Sequence, residues 1–103
     1  MPSQKIIIDT DPGQDDAIGI FLALASPAEL DLLGIVTVAG NVPLSLTSKN
    51  ALILCELANK RETKVFAGCS RPLVRPLVTA EHVHGKTGLD GAELPPPTMS
   101  LQK

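Results

Sequence analysis

The chain is 103 residues long, which is enough for one domain at most. A hydrophobic fraction of 44% excludes disorder of the whole chain. A net charge of −2, with two Phe and neither Trp nor Tyr, excludes the basic and aromatic surface of a nucleic-acid-binding protein. No apolar run reaches the length of about 20 residues that spans a bilayer, and acidic residues come too early for a signal peptide. Two cysteines make no disulfide framework, so we expect a reducing cytoplasm.

The first third of the chain has the pattern of a strand followed by a helix. Residues 5–8, KIII, form a short β-branched run that is typical of a buried parallel strand. The pair Pro12 and Gly13 then favours a tight turn. Residues 15–25, DDAIGIFLALA, are apolar almost all round, which predicts a buried helix packed on a sheet.

The same alternation continues along the chain. Residues 30–39 predict a second strand, residues 43–59 a second helix and residues 64–67 a short third strand. Strands joined by helical crossovers indicate a parallel α/β sheet. Residues 69–103 contain five Pro and three Gly without a sustained period, so we expect a long loop that is either a functional lid or disordered.

Four aspartates with no base among them are the most informative feature of the sequence. Asp9, Asp11, Asp15 and Asp16 lie between the first strand and the first helix, and Asn41 follows the second strand. In a parallel sheet these positions share the edge where ligands bind. Converging carboxylates need a cation, and ligation by oxygen alone selects Ca²⁺ or Mg²⁺.

Helix capping is an alternative role for these acids, whereas two common ion-binding loops are excluded. Acids at the start of a helix often act only as caps or as partners of the helix dipole, and that alternative stays open. An EF-hand loop has Gly at its sixth position, where this segment has Gln14. A phosphate-binding loop needs several Gly and a Lys, whereas here the helix begins with acids.

Three segments resemble the nucleoside hydrolases of the inosine–uridine preferring type. Residues 6–17, IIIDTDPGQDDA, resemble the family's N-terminal signature, Asp-Xaa-Asp-Pro-Gly-Xaa-Asp-Asp after a strand. Residues 37–41, TVAGN, resemble the end of its second strand, and residues 82–91, HVHGKTGLDG, resemble its active-site loop. The resemblance implies the start of a three-layer, Rossmann-like fold with a mostly parallel sheet. Residues 1–68 would form its β-α-β-α-β core, and residues 69–103 the active-site loop and tail of the same domain.

The resemblance also implies an activity and the residues that perform it. It implies hydrolysis of the N-glycosidic bond of ribonucleosides, which gives ribose and a free base. Asp11 and Asp16 would bind Ca²⁺, and Asp11 would also be the general base for the attacking water. Asp15 would accept a hydrogen bond from a ribose hydroxyl, and Asn41 would contact the ribose or the water.

Two further roles are implied for the surroundings of the site. Asp9 would support the turn from behind, and His82 would lie on the loop over the base. Lone histidines in a Gly-rich loop are usually solvated, which is the simpler interpretation of His82 and also of His84.

The family's enzymes are much longer than this chain, so the resemblance implies an N-terminal portion that is inactive alone. Ca²⁺ takes about 6–8 oxygen ligands, so water or another chain must complete the site. We expect a homo-oligomer, dimer or tetramer, or a complement that supplies the missing part. Two alternatives stay open: a non-catalytic module that binds a cation or sugar, and a phosphatase with Asp9 and Asp11 in a strand-end Asp-Xaa-Asp motif.

Overall fold

The computed structural model describes residues 2–103 and contains a β-α-β-α-β core followed by one short helix. The elements are β1 Gln4–Thr10, α1 Gln14–Leu24, β2 Leu30–Thr37, α2 Leu44–Leu57, β3 Val65–Ala67 and α3 Glu81–His84. Each of the five core elements predicted from the sequence is confirmed, with ends that differ by at most two residues. No helix within residues 2–103 is long and apolar enough to cross a membrane.

The sheet is fully parallel, in the order β1-β2-β3. Ile8, Ile35 and Val65 lie side by side across its three strands. The register shifts between Ile6 and Ile7, which leaves Leu33 of β2 as an extra residue in a bulge. The predicted α/β fold with a parallel sheet is therefore confirmed, and every strand pairs with its neighbour in the sequence.

Both long helices pack on the same face of this sheet. They contact each other and share one core with the inward side chains of β2 and β3, Ile35 and Val65. The buried members contributed by the helices are Ala17, Ile20, Leu24, Ala51, Leu52, Leu54 and Cys55. Side chains on the opposite face, such as Ile7 at 63% exposure, have no helix over them within residues 2–103.

The end of β2 is held to α2 by a buried polar contact. Thr37 and Ser48 share a hydrogen bond of 2.8 Å between their hydroxyls, and both side chains are buried. A hydroxyl pair removed from water in this way is satisfied and directional, so it fixes the helix relative to the strand end. The segment that follows β2 therefore leaves the sheet in a defined direction.

Residues 68–103 are mostly irregular, as the absence of a period predicts, but they lie against the core. Leu89 is buried in the core cluster, and the Glu56 carboxylate accepts hydrogen bonds from Thr98 and Met99. Near the end of the segment the Gln102 N–H donates to the Val65 carbonyl at 2.8 Å, which begins a parallel pairing on the outer edge of β3. The sequence did not predict α3, because a single turn is too short to show a helical period.

Candidate functional site

The ends of β1 and β2 bring Asp11 and Asn41 into direct contact. The backbone N–H of Asn41 donates to Oδ2 of Asp11 at 2.9 Å, and the Asn41 side-chain amide donates to the Asp11 carbonyl at 2.8 Å. Gly40 makes this approach possible, because the Asp11 carboxylate lies where a Cβ on residue 40 would stand. Two residues 30 positions apart are thus joined at the predicted edge of the sheet.

The turn after β1 presents the remaining acids at the start of α1. Pro12 and Gly13 are buried, and α1 begins at Gln14 without a side-chain cap. Asp15 is exposed in the first turn, where the helix dipole favours negative charge. Asp16 is half-buried and accepts a hydrogen bond of 2.7 Å from the Thr10 hydroxyl.

All four predicted aspartates line one open groove of about 400 Å³, which we call the aspartate groove (Asp9, Asp11, Asp15 and Asp16). Asp9 is exposed at its margin, and its carboxylate accepts no hydrogen bond from residues 2–103. A second cavity, of about 420 Å³, lies at the opposite end of the strands beside Leu30 and Lys64. None of the predicted site residues lines that second cavity, so the chemistry points to the aspartate groove.

The carboxylates of the aspartate groove repel one another. The pKa of the Asp16 carboxyl is raised, chiefly because burial disfavours its charged form. The Thr10 hydroxyl opposes this rise, and the neighbouring Asp11 and Asp15 carboxylates add to it. Negative charge is therefore concentrated at this edge, an arrangement that attracts cations and positively charged sugars.

The donor set of the groove is suited to a hard cation, although the protein ligands are few. Asp11 and Asp16 each have one oxygen bound by a neighbour, and the second oxygen of each has no hydrogen-bond donor among residues 2–103. Across the same residues, no three side chains of His, Cys, Asp or Glu converge closely enough to hold a metal ion. The groove thus offers two carboxylates for a cation.

The loop of residues 80–91 lies against this site and brings one histidine to it. The Ala80 N–H donates to the Asn41 carbonyl at 2.7 Å, which fixes the start of the loop beside the strand end. The His84 ring lies over Gly13, where a Cβ would come within 2.6 Å of its Nδ1, and this nitrogen is 3.2 Å from Oε1 of Gln14. His82, which the resemblance placed on the loop over the base, is exposed.

The structure brings His84, rather than His82, against the turn. His82 and His84 both lie on α3, and side chains two residues apart on a helix point about 200° apart, so only one of them can face the turn. That residue is His84. The sequence pattern alone does not separate the two histidines, because the helix that orients them is only one turn long.

Two amide side chains at the site were not predicted, and each joins the turn to the loop. Asn50 of α2 is 2% exposed and donates to the carbonyls of Pro12 at 3.1 Å and of Thr87 at 2.7 Å. Gln14 donates from Nε2 to the Asp90 carbonyl at 2.9 Å and faces His84 with its oxygen. Asn50 could have been found from the sequence, because it is a polar residue on the apolar face of α2 and a buried amide needs hydrogen-bond partners.

Comparison with known proteins identifies the relatives of this chain. Residues 6–103 match the family described as inosine-uridine preferring nucleoside hydrolase. An uncharacterised protein of Schizosaccharomyces pombe is 60% identical over 94 residues, which are 91% of this chain and 30% of that protein. A pyrimidine-specific ribonucleoside hydrolase of Escherichia coli is 48% identical over 97 residues, which are 94% of this chain and 31% of that enzyme.

Solved structures agree with this relationship. A purine-preferring ribonucleoside hydrolase from Gardnerella vaginalis superimposes with a TM-score of 0.88 at 32% identity, over 97% of this chain and 33% of its own. A plant nucleoside hydrolase superimposes with a TM-score of 0.82 at 42% identity, over 99% of this chain and 31% of its own. The chain spans about a third of the length of the relatives that it matches.

Proposed function

Because the chain belongs to the inosine-uridine preferring nucleoside hydrolase family, we propose that it forms one wall of a site that hydrolyses the N-glycosidic bond of ribonucleosides to ribose and free base. The observation that carries this proposal is the aspartate groove joined to Asn41 at the ends of two parallel strands. The chain supplies about a third of the length of its relatives. The proposed site therefore also needs the part of such an enzyme that lies outside this matched third, which we call the complement.

Asp11 and Asp16 are the residues that would hold Ca²⁺. Their free carboxylate oxygens support this assignment. The pKa of Asp16 is raised chiefly by burial and further by the neighbouring Asp11, and a bound cation would relieve that repulsion between the two groups. When bound, Ca²⁺ supplies a positive charge that lowers the pKa of water and orients sugar hydroxyls. Water and the complement would provide the remaining ligands.

The hydrolytic step depends on the acidic side chains themselves. Asp11 accepts the proton of the attacking water, and Asn41 holds Asp11 in place through the two hydrogen bonds between them. Asp15, exposed in the first turn of α1, accepts a hydrogen bond from a ribose hydroxyl. As the bond to the base breaks, the base takes the electron pair and the sugar takes on positive charge, which the concentrated negative charge of the groove stabilises. A proton donor of the complement would protonate the departing base.

Cation binding is tested by calorimetric titration of the chain with Ca²⁺. We expect Asp16→Ala to abolish the binding seen with the unchanged chain, because one of the two carboxylates is lost. Asp31→Ala is the matched control, since Asp31 is an exposed aspartate of β2 at the other end of the sheet, opposite Lys5 in the strand register. Equal Ca²⁺ affinity in all three proteins would contradict the metal assignment.

Hydrolysis is tested with the chain combined with a separately expressed complement, the C-terminal two thirds of the Schizosaccharomyces pombe relative. We expect reducing sugar to be released from uridine or inosine by the pair and not by either part alone. Asp11→Ala should abolish that release, and Asp31→Ala should leave it unchanged. A folded complex that binds Ca²⁺ and hydrolyses neither nucleoside would favour the alternative, a non-catalytic module that binds a cation or sugar.

Association and location extend the proposal. Ile18 and Leu22 of α1 are apolar and more than two-thirds exposed, at 69% and 68%, one helical turn apart. Such a pair supports burial against the complement or against a second copy of the chain. We propose a cytoplasmic setting, because two cysteines make no disulfide framework.

A further inference from the structure

Gln14 is the residue that spans the gap between the turn and the 80–91 loop. It occupies the free position in the signature Asp-Pro-Gly-Xaa-Asp-Asp, where no role follows from the motif. Its Nε2 donates to the Asp90 carbonyl at 2.9 Å, and its Oε1 lies 3.2 Å from Nδ1 of His84. One side chain thus contacts the loop at two places, six residues apart.

These two contacts determine which nitrogen of His84 carries the proton. A carbonyl oxygen only accepts, so the group of Gln14 that faces the Asp90 carbonyl must be the NH₂. The amide oxygen of Gln14 then faces His84, and since this oxygen also only accepts, Nδ1 of His84 must donate. In the neutral ring, Nε2 is consequently left without a proton.

The position of the ring is set by other contacts of the loop. Asn41 accepts from Ala80, and Asn50 donates to Thr87, so the loop is fixed on both sides of His84. The absence of a Cβ on Gly13 leaves space for the ring beside the turn. These contacts place the ring without selecting its tautomer, and Gln14 is the side chain that selects it.

We propose that Gln14 is a positioning residue that holds His84 in the Nδ1–H tautomer and so presents its Nε2 as a hydrogen-bond acceptor to the bound nucleoside. The ligand group that fits this acceptor is an N–H or O–H of the nucleoside. The inference rests on the proposed function for its substrate, but the tautomer itself is a property of the free chain. An exposed histidine in water favours the opposite tautomer, with the proton on Nε2.

The tautomer is measured by long-range ¹H–¹⁵N NMR on the chain with ¹⁵N-labelled histidine, in the pH range where the spectrum itself shows neutral rings. We expect Nδ1–H for His84. His82 is the internal control on the same helix, because its side chain is exposed and makes no hydrogen bond within residues 2–103, so it should show the Nε2–H form. An Nε2–H tautomer at His84 in the unchanged chain would overturn the proposal.

Two substitutions separate tautomer selection from a general effect on folding. Gln14→Leu removes the acceptor, so His84 should revert to Nε2–H. Gln14→Glu loses the donor to the Asp90 carbonyl but keeps an acceptor oxygen for His84, so it should preserve Nδ1–H. Gln14 is exposed, so both variants should fold, and urea unfolding verifies this. A folded Gln14→Leu variant with an unchanged His84 tautomer would also overturn the proposal. None of these measurements depends on hydrolysis, so they stand apart from the test of the proposed function.

The effect on substrate binding is measured as KM in the complex of this chain with the C-terminal two thirds of the Schizosaccharomyces pombe relative. Losing the oriented acceptor should raise KM by about tenfold in Gln14→Leu, the effect of one hydrogen bond to the ligand, with a smaller change in kcat. Gln14→Glu should restore most of this loss. Equal KM values in the Leu and Glu variants would contradict the role of His84 as an acceptor for the nucleoside.

Discussion

Replacing Gly40 by Ala tests whether the joint between Asp11 and Asn41 is as close as the structure shows. A Cβ added to residue 40 would overlap the Asp11 carboxylate, because it would lie 2.8 Å from Cγ and 3.0 Å from Cβ of Asp11. The Asp11 side chain must therefore move away. That movement breaks the hydrogen bond of 2.9 Å from the Asn41 N–H to Oδ2.

The expected cost can be worked out from these two effects. Overpacking a filled site costs about 1–3 kcal/mol, and a hydrogen bond to a charged group contributes about 1.5–3 kcal/mol. Alanine also restricts the unfolded chain more than glycine does, which raises the free energy of unfolding by about 0.4–1 kcal/mol. We expect Gly40→Ala to lower the free energy of unfolding by about 2–4 kcal/mol. With an m-value of about 1.5 kcal/mol/M, the urea midpoint falls by roughly 2 M.

Gly19→Ala is the matched control because the chemical change is the same. Gly19 lies inside α1, and nothing stands within 4 Å of an added Cβ. Alanine is the better helix former there, so this variant should gain about 1 kcal/mol. Urea unfolding followed by circular dichroism measures both variants. If Gly40→Ala unfolds within about 0.5 kcal/mol of the unchanged chain, the close approach of Asp11 to residue 40 is refuted.

Two further predictions concern the cysteines and the C-terminal tail. Burial raises the pKa of the Cys55 thiol to about 11, whereas Cys69 is exposed. Iodoacetamide at pH 8 should therefore modify Cys69 in the folded chain and Cys55 only after unfolding. Peptide mass mapping would identify the modified cysteine. Burial disfavours the charged form of Glu56, which is 12% exposed, but hydrogen bonds from Met99 and Thr98 outweigh this and lower its pKa. Because the folded pKa is the lower one, Glu56 stabilises tail docking above its ordinary pKa of about 4.3 and loses this effect as pH falls through the folded value. The protection factor of the Met99 amide, which corrects for the slower intrinsic exchange in acid, should therefore fall as the pH is lowered, and a Glu56→Gln variant with the same acid response would contradict this.

The core and the acidic edge could be predicted because their signals are local. Three short apolar runs and two long apolar helices follow one another in the sequence, and each strand pairs with the next. The strand-end positions of Asp11 and Asn41 follow from that order, so their meeting was predictable before any contact was known.

The parts that could not be predicted depend on contacts between distant positions. His84 meets Gln14 across 70 residues, and Asn50 meets Thr87 across 37. These contacts are set by how the irregular 80–91 loop folds back, and no hydrophobic period records that. The bulge at Leu33 was missed for a related reason, since a register shift arises from pairing between strands rather than from the pattern within one.

The strand order β1-β2-β3 has a consequence for how the protein forms during synthesis. Each strand finds its partner in the next one to leave the ribosome, so the sheet can grow from the N-terminus without waiting for distant segments. The four aspartates and Asn41 all lie within the first 41 residues, and the pairing of β1 with β2 already joins them. His84 reaches this edge only once the 80–91 loop has been made. The residues of the carboxylate edge therefore leave the ribosome before the loop that covers it.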